Sequence, residues 1–301
     1  MTQLQQLMAL SAATLALGVV LLAALSIARP TAARARALWH LMRTEIVIVA
    51  AAAAAFLAGT TVIELAVVLV AGRIGFESAD VWCVASCVPD AERVRLGWTA
   101  GLGLALTAAT LAFAPPSLDL VAAAGLLAAS FAAVAAGTTR PQALRRLSLM
   151  SRVAAFPGLA VFALTLAARA PTTQSALLLA FILTEVFDSF AVLGGRLFGR
   201  HKVFPRLSPN KTIEGLLTGL AALAIFALLL MAVIPPPKAL IGALGTAVAA
   251  VAGDLLGSAP KRAAGVKDYP TIIQEQGGLL DILDAWLVSG PVLAGLWLLL
   301  G

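Results

Sequence analysis

The sequence predicts an all-α integral membrane protein, a polytopic bundle of about ten membrane helices with no soluble domain. Of its 301 residues, 61% are hydrophobic and only 12% are charged, and the mean hydropathy is +0.98. A soluble chain of this length buries only about 75% of its surface, so it could not hide that much apolar side chain from water. The apolar residues form long unbroken runs, which favours helices over the alternating pattern of a β-barrel. The same composition excludes a disordered chain.

The apolar runs define the membrane segments in order along the chain. A membrane helix needs about 20 predominantly apolar residues. Runs of roughly that length occupy 3–28, 46–72, 96–114, 118–137, 153–169, 175–195, 215–234, 239–257 and 285–300. The first run ends at Arg29 and Pro30 without a small-residue cleavage site, which indicates a membrane helix rather than a cleaved signal peptide.

The run 46–72 predicts either one tilted helix or two short helices with a turn at 59–61. With two helices, every Lys and Arg except Arg169 and Lys238 falls on the same side of the membrane, and fewer do so with one helix. Cytoplasmic loops are enriched in Lys and Arg, so the two-helix interpretation is preferred. The segments 138–152, 196–214 and 258–284 are then cytoplasmic, with 235–237 on the opposite side.

Carboxylates near the ends of the later apolar runs are the first candidates for chemistry. Asp188 and Asp254 lie where a charge usually faces a cavity, a partner or an ion. Asp281 and Asp284 are three residues apart and share one helix face. Carboxylate oxygens suit a hard cation such as Mg²⁺. For each aspartate alone, a capped helix end or an ion pair is the alternative.

Cations and glycines accompany these carboxylates. Lys261, Arg262 and Lys267 supply positive charge, and Gly277 and Gly278 let the backbone approach a ligand closely. Carboxylates for a metal, cations for phosphate and glycines for backbone contact together indicate phosphoryl or nucleotidyl transfer.

Two motifs carry a family resemblance. One reads Ser258-x-x-Lys261-Arg262-x4-Lys267-Asp268, followed by Gly277-Gly278-x-x-Asp281-x-x-Asp284. The other contains Asp188, then Gly195-Arg196-x-Phe198-Gly199-Arg200-His201-Lys202 and Ser208-Pro209-Asn210-Lys211-Thr212-x-Glu214-Gly215. Together they resemble the phosphatidate cytidylyltransferase family, the CDP-diacylglycerol synthases. The clear match covers about 181–290. Residues 171–301 are therefore predicted as the catalytic membrane region, whereas 1–170 match only as apolar helices.

The resemblance implies an integral membrane nucleotidyltransferase that converts phosphatidate and CTP to CDP-diacylglycerol and pyrophosphate with a divalent cation, Mg²⁺ being expected. The implied catalytic residues are Asp254, Lys267, Asp268, Asp281 and Asp284. The implied metal ligands are Asp188, Asp254 and Asp281. The implied substrate-binding residues are Ser208, Lys211, Ser258, Lys261, Arg262, Gly277 and Gly278. The expected partners are CTP, a lipid phosphate and membrane lipids but no nucleic acid, and a homodimer is left open. The expected location is the bacterial inner membrane, with the active site facing the cytoplasm.

Two positions depart from the family pattern. Gln276 stands where the family usually has histidine, and Ile282 stands where it usually has arginine. The carboxylates are kept, so we expect retained metal binding with altered phosphate handling, rate or lipid choice. The alternatives are a relative that acts on another lipid phosphate, an inactive relative, and a transporter with an acidic cation path. The Lys- and Arg-containing segment 258–284 argues against the transporter.

Three further residues receive structural interpretations. Cys83 and Cys87 lack a second cysteine pair that would complete a zinc site, so free thiols are predicted. Glu64, inside an apolar run, is predicted to make a polar contact at the proposed turn.

Overall fold

The computed structural model describes residues 32–300 except 116, 118, 274 and 275, and also residues 6, 9, 12, 13 and 20. The predicted first segment, 3–28, therefore lies almost wholly outside the described residues. The helices are α1 Ala32–Ala58, α2 Thr60–Ala85, α3 Asp90–Phe113, α4 Asp119–Ala135, α5 Arg140–Val153, α6 Leu159–Arg169, α7 Pro171–Phe198, α8 Ile213–Leu230, α9 Pro236–Ala264 and α10 Leu279–Leu299. Strands β1 Lys202–Phe204 and β2 Ser208–Thr212 form an antiparallel hairpin between α7 and α8.

The described part of the chain confirms the predicted all-α membrane fold and shows no soluble domain in those ranges. Helices long and apolar enough to cross a membrane are Asp90–Phe113, Arg140–Arg169, Pro171–Phe198, Ile213–Leu230, Pro236–Ala264 and Leu279–Leu299. The span Arg140–Arg169 contains α5 and α6, joined by an irregular turn with a cis peptide bond before Pro157. Two shorter apolar helices cover Ile46–Ala58 and Leu120–Ala135. The predicted number of ten segments is thus only approximate.

The run 46–72 divides at Gly59, as the charge distribution predicts. α1 ends at Ala58, α2 begins at Thr60, and Gly59 between them has a φ of 102°. Glycine adopts this left-handed backbone region without the steric penalty that a Cβ would bring. Both helices extend well beyond the apolar run, so they are longer than the sequence suggests. Glu64 lies buried in α2, just beyond this junction.

The three polar segments 138–152, 196–214 and 258–284, which we predict to be cytoplasmic, are partly helical. α5 occupies most of 138–152, α7 continues to Phe198, and α9 continues to Ala264. α10 begins at Leu279, so the later part of 258–284 is also helical. Helices include these polar residues because their backbone hydrogen bonds form within the segment whatever the side chains contact. We call the connection between α9 and α10 the 265–278 loop, which the structure describes except at 274 and 275.

Close packing of α9 on α10 depends on two glycines. A Cβ at Gly253 would overlap the Asp284 backbone, and a Cβ at Gly257 would overlap the Asp284 side chain. The two helices therefore approach closely at the point where both carry aspartates. α7 lies at the centre of the bundle, with Leu177 and Leu183 fully buried.

Contacts between distant segments gather the polar regions at one end of the bundle. Arg73 of α2 donates a hydrogen bond to the Pro270 carbonyl at 2.9 Å, and Arg146 of α5 pairs with Glu92 of α3 at 2.6 Å. At the other end, Arg169 of α6 donates to the Ala114 carbonyl at 2.9 Å. The hairpin precedes α8 and the 265–278 loop follows α9, and Arg262 at the end of α9 donates to the Leu207 carbonyl of the hairpin at 2.9 Å. Both therefore lie at the end opposite the α8–α9 connection.

Candidate active site

Lys211 lies at the centre of a cluster of carboxylates. β2 places its ammonium 3.8 Å from Asp188 Oδ1 on α7 and 3.5 Å from Asp254 Oδ2 on α9. The side chain is only 16% exposed. Burial opposes the charge, but Asp188, Asp254 and Asp284 outweigh it and raise the pKa of Lys211 above its ordinary value. The lysine is therefore a fixed positive charge inside the site. We call Asp188, Asp254, Asp284 and Lys211 the lysine-centred cluster.

The carboxylates of this cluster have the ligand chemistry of a hard divalent cation. Asp254 Oδ2 is buried and, among the described residues, receives no hydrogen bond. Asp284 is 5% exposed, and its Oδ1 accepts a hydrogen bond from the Ala285 amide at 2.7 Å. Within the described ranges, no three His, Cys, Asp or Glu side chains stand together as a ready metal-binding group. The site suits a cation by donor type, and the Lys211 ammonium lies between Asp188 and Asp254, 3.5 Å from the Asp254 oxygen that receives no hydrogen bond.

Asp281 belongs to a second cluster at the start of α10. Its Oδ1 forms an ion pair with Lys261 of α9, and both side chains are buried. Its Oδ2 accepts hydrogen bonds from the amides of Tyr269, at 2.7 Å, and Gly278, at 2.9 Å. The carboxylate thus joins α9, the 265–278 loop and the first turn of α10.

Tyr269 supports this second cluster and was missed by sequence analysis. Its hydroxyl donates to the Gly257 carbonyl at 2.9 Å, and the Lys261 ammonium lies 5.3 Å from the centre of its ring. Burial and the nearby carboxylates raise the pKa of the Tyr269 phenol, so it stays a neutral donor. Tyr269 is the chain's single tyrosine, which is a signal in the sequence. The residues next to it do not indicate that it is buried.

The predicted acidic residues therefore separate into two groups. Asp188 and Asp254 pair with Lys211, whose pKa Asp284 also raises, whereas Asp281 pairs with Lys261. The assignment of Asp188, Asp254 and Asp281 as metal ligands stays a prediction.

The remaining predicted cations lie at the surface. Arg262 donates to the carbonyls of Leu207, at 2.9 Å, and Val266, at 3.0 Å. It thereby connects the hairpin to the end of α9. The Lys267 side chain is 84% exposed, with its ammonium 3.7 Å from Asp268 Oδ2. Both are accessible to a ligand, and their predicted contacts with phosphate remain predictions.

The predicted serines and glycines lie in the same region. Ser258 is buried in α9, and Ser208 is half-buried at the start of β2. Gly277 has a φ of 89°, which explains glycine there. A Cβ at Gly278 would lie 2.7 Å from Glu77 Oε2. In this structure, the absence of a side chain at Gly278 allows the Glu77 carboxylate to approach closely.

Glu77 of α2 is the second residue that sequence analysis missed. It is fully buried, and its carboxylate accepts hydrogen bonds from the Leu279 and Leu280 amides at 2.9 and 2.7 Å. An acidic residue in this part of α2 is a signal that the sequence offers. Its role could not be inferred, because its partners are about 200 positions away in the sequence.

The two departures from the family motif occupy different surroundings. Ile282 is half-buried and packs against the hydrophobic core. The Gln276 backbone N–H donates to the Ile273 carbonyl at 3.0 Å, just before Gly277. Ile282 therefore contributes to helix packing.

The two cysteines are free thiols, as predicted, with Cys83 buried and Cys87 exposed.

The chain belongs to the cytidylyltransferase family, because the model of that family matches residues 39–300. It is similar to the uncharacterized protein YnbB of Escherichia coli strain K12, with 39% identity over 143 residues that cover 44% of this chain and 48% of the relative. It is also similar to the phosphatidate cytidylyltransferase of Staphylococcus saprophyticus, with 37% identity over 121 residues that cover 39% of this chain and 46% of the relative. The phosphatidate cytidylyltransferase of Aquifex aeolicus is 38% identical over 109 residues, 35% of this chain and 40% of the relative. The matched region spans about half the length of these relatives or less.

Proposed function

We propose that this chain transfers the cytidylyl group of CTP to a membrane lipid phosphate, with phosphatidate and CTP giving CDP-diacylglycerol and pyrophosphate. The observation that carries the proposal is Lys211, a buried charge held 3.5 Å from Asp254 at the end of two apolar helices. Family membership and the names of the Staphylococcus saprophyticus and Aquifex aeolicus relatives support the same activity.

The proposed reaction is an in-line displacement at phosphorus. An oxygen of the lipid phosphate attacks the α-phosphorus of CTP. The bond from that phosphorus to the oxygen bridging to the β-phosphorus breaks, and pyrophosphate leaves with the electron pair. Negative charge increases on the transferring and leaving oxygens, so fixed positive charges lower the barrier. Lys211 and Lys261 supply such charges inside the site, and Arg262 and Lys267 supply them at its exposed edge.

A divalent cation, with Mg²⁺ expected, is part of the proposal. Asp254 and Asp188 would hold it, with Asp284 beside them. When bound, it would neutralise charge that develops on the phosphate oxygens. Asp281 has the further task of keeping the Lys261 ammonium in position, because one of its oxygens forms that ion pair.

The membrane-crossing helices support a lipid substrate. The lysine-centred cluster lies where α7 and α9 leave their apolar segments, so a lipid phosphate could reach it from the bilayer surface. We propose the bacterial inner membrane as the location, with this end of the bundle in the cytoplasm, because the basic residues concentrate there.

Light scattering in detergent would test the homodimer that the sequence leaves open.

A second candidate is the same reaction on another lipid phosphate. The observation that favours it is Ile282, which packs in the core at a position where the family pattern has a cation.

The test is an assay of purified protein with radiolabelled CTP, Mg²⁺ and a panel of lipid phosphates, scored for a lipid-linked CMP product. Product with phosphatidate supports the first candidate. Product only with another lipid phosphate supports the second. No product from any of them, with folded protein, contradicts both.

A further inference from the structure

One turn of α2 contacts both ends of the segment that precedes α10. Arg73 and Glu77 are four residues apart, and Arg73 Nε lies 2.7 Å from Glu77 Oε1. Arg73 Nη2 donates to the Pro270 carbonyl at 2.9 Å, early in the 265–278 loop. Glu77 accepts hydrogen bonds from Leu279 and Leu280 immediately after that loop. The Arg73–Glu77 ion pair therefore holds the 265–278 loop at Pro270 and holds the first residues of α10.

The first turn of α10 needs hydrogen-bond acceptors from outside the helix. The first amides of a helix have no acceptor within the helix. Asp281 Oδ2 accepts the Gly278 amide, and the two oxygens of Glu77 accept the next two. A carboxylate at a helix N-terminus is also favoured by the helix dipole. Glu77 is 0% exposed, so water cannot replace it.

We propose that Glu77, together with Arg73, is a positioning residue for the reaction at this site. Leu280 directly precedes Asp281, and Asp284 follows one turn later. Holding the Leu279 and Leu280 amides therefore sets the direction in which Asp281 meets Lys261 and the position of Asp284 against Gly257 of α9. The consequence for catalysis rests on the proposed function, whereas the contact itself does not.

Two variants separate positioning from simple charge neutralisation. Glu77→Gln keeps the size of the side chain, but its NH₂ group cannot accept one of the two backbone hydrogen bonds. The double variant Arg73→Gln with Glu77→Gln removes both charges and leaves the same hydrogen bond unmade. We expect kcat to fall about tenfold or more in both, because small displacements of reacting groups are costly. The KM for CTP should change by less than about threefold.

A matched control and a conservative variant complete the series. Glu92→Gln removes the carboxylate that pairs with Arg146 at the same end of the bundle. Among the described residues Glu92 pairs with α5 and not with the loop or α10, so we expect normal kcat. Glu77→Asp keeps the charge on a shorter side chain, so it should fold and recover part of the kcat that Glu77→Gln loses.

Hydrogen–deuterium exchange gives a readout that does not depend on activity. In Glu77→Gln, we expect faster exchange at the Leu279 and Leu280 amides and unchanged exchange in the centre of α7. If this occurs while the wild-type protein shows no cytidylyl transfer, the proposed function fails and the positioning contact stands, without its catalytic consequence. Unchanged exchange and kcat in Glu77→Gln would overturn the proposal. Recovery of wild-type kcat in the double variant would also overturn it, because Glu77 would then only neutralise Arg73.

Discussion

Lys211 and Lys261 each place a buried positive charge in the site, but their carboxylate partners differ. Lys211 has longer contacts with Asp188 and Asp254, whereas Lys261 has one tight partner, Asp281. A lysine with loose partners can exchange them for phosphate oxygens at little cost. A tightly paired lysine is held in one position, so the Asp281 carboxylate fixes the position of the Lys261 ammonium.

The first prediction at the residue scale concerns Asp281→Asn. The substitution keeps the size and removes the charge that holds Lys261. We expect activity to fall by about 10²-fold or more, since electrostatic stabilisation of a transition state is worth several kcal/mol. The measurement is the rate of lipid-linked CMP formation, and activity within about threefold of wild type would exclude an essential role for this carboxylate.

Stability has to be measured beside that activity. Removing one partner of a buried ion pair costs about 3–5 kcal/mol. The double variant Lys261→Met with Asp281→Asn removes both charges, so we expect its melting temperature to recover toward wild type while its activity stays low. Recovery of activity in the double variant would show that Asp281→Asn had failed only by unfolding.

The second prediction at this scale concerns the two departures from the family motif. We expect the wild-type protein to transfer the cytidylyl group, because the carboxylates and Lys261, Arg262 and Lys267 are all present. The double change Gln276→His with Ile282→Arg should lower stability, since it puts a charge at a half-buried position in the core. If wild type turns over no lipid phosphate while the double variant turns over phosphatidate, the native protein is not a phosphatidate cytidylyltransferase.

Sequence reasoning reached some of these residues and not others for a physical reason. Asp254 and Lys261 stand out because charges are rare beside apolar helices. Glu77 and Tyr269 act through contacts with segments that a linear pattern does not bring together. Their roles depend on α2 and the 265–278 loop folding against α9 and α10.

At the scale of secondary-structure elements, the start of α10 depends on a close approach at Gly278. A Cβ there would lie 2.7 Å from Glu77 Oε2 and also 2.7 Å from the Tyr269 Cβ. We predict that Gly278→Ala lowers the free energy of unfolding by roughly 1–3 kcal/mol, as overpacking usually does. It should also reduce activity. Thermal unfolding in detergent and the transfer assay measure the two effects.

Gly295→Ala is the matched control on the same helix. A Cβ at Gly295 has no atom within 4 Å among the described residues. Alanine is favoured over glycine inside a helix, so we expect unchanged or slightly higher stability and normal activity. Equal losses in both variants would contradict the close approach at Gly278 as the cause, because Gly295 has no such neighbour.

Element boundaries were predictable only in part. The division at Gly59 was predictable because the two-helix interpretation of 46–72 puts more of the basic residues on one side of the membrane. The ends of α7, α9 and the start of α10 were not, because polar residues at a helix end resemble a loop when only hydropathy is considered. Ser258 and Lys261 face the protein interior from within α9, so the helix continues through them.

At the scale of the whole molecule, the two sides of the membrane are predicted from charge. In a Cys87→Ser background, which removes the exposed thiol and leaves Cys83 buried, we predict the labelling of three single cysteines. Asn210→Cys and Thr271→Cys should react with an impermeant maleimide only after the membrane is opened. Ala232→Cys, between α8 and α9, should react in intact right-side-out vesicles. Labelling of Asn210→Cys from outside would reverse the orientation.

Which part of CTP reaches the lipid is the most direct test of the whole account. Wild-type protein is incubated with phosphatidate, Mg²⁺ and CTP labelled either at the α-phosphorus or at the γ-phosphorus, and the lipid and aqueous products are separated. The account predicts that the α-label enters the lipid fraction and that the γ-label appears in pyrophosphate. Transfer of the γ-label to the lipid, or no labelled lipid from either substrate, would contradict cytidylyl transfer to phosphatidate.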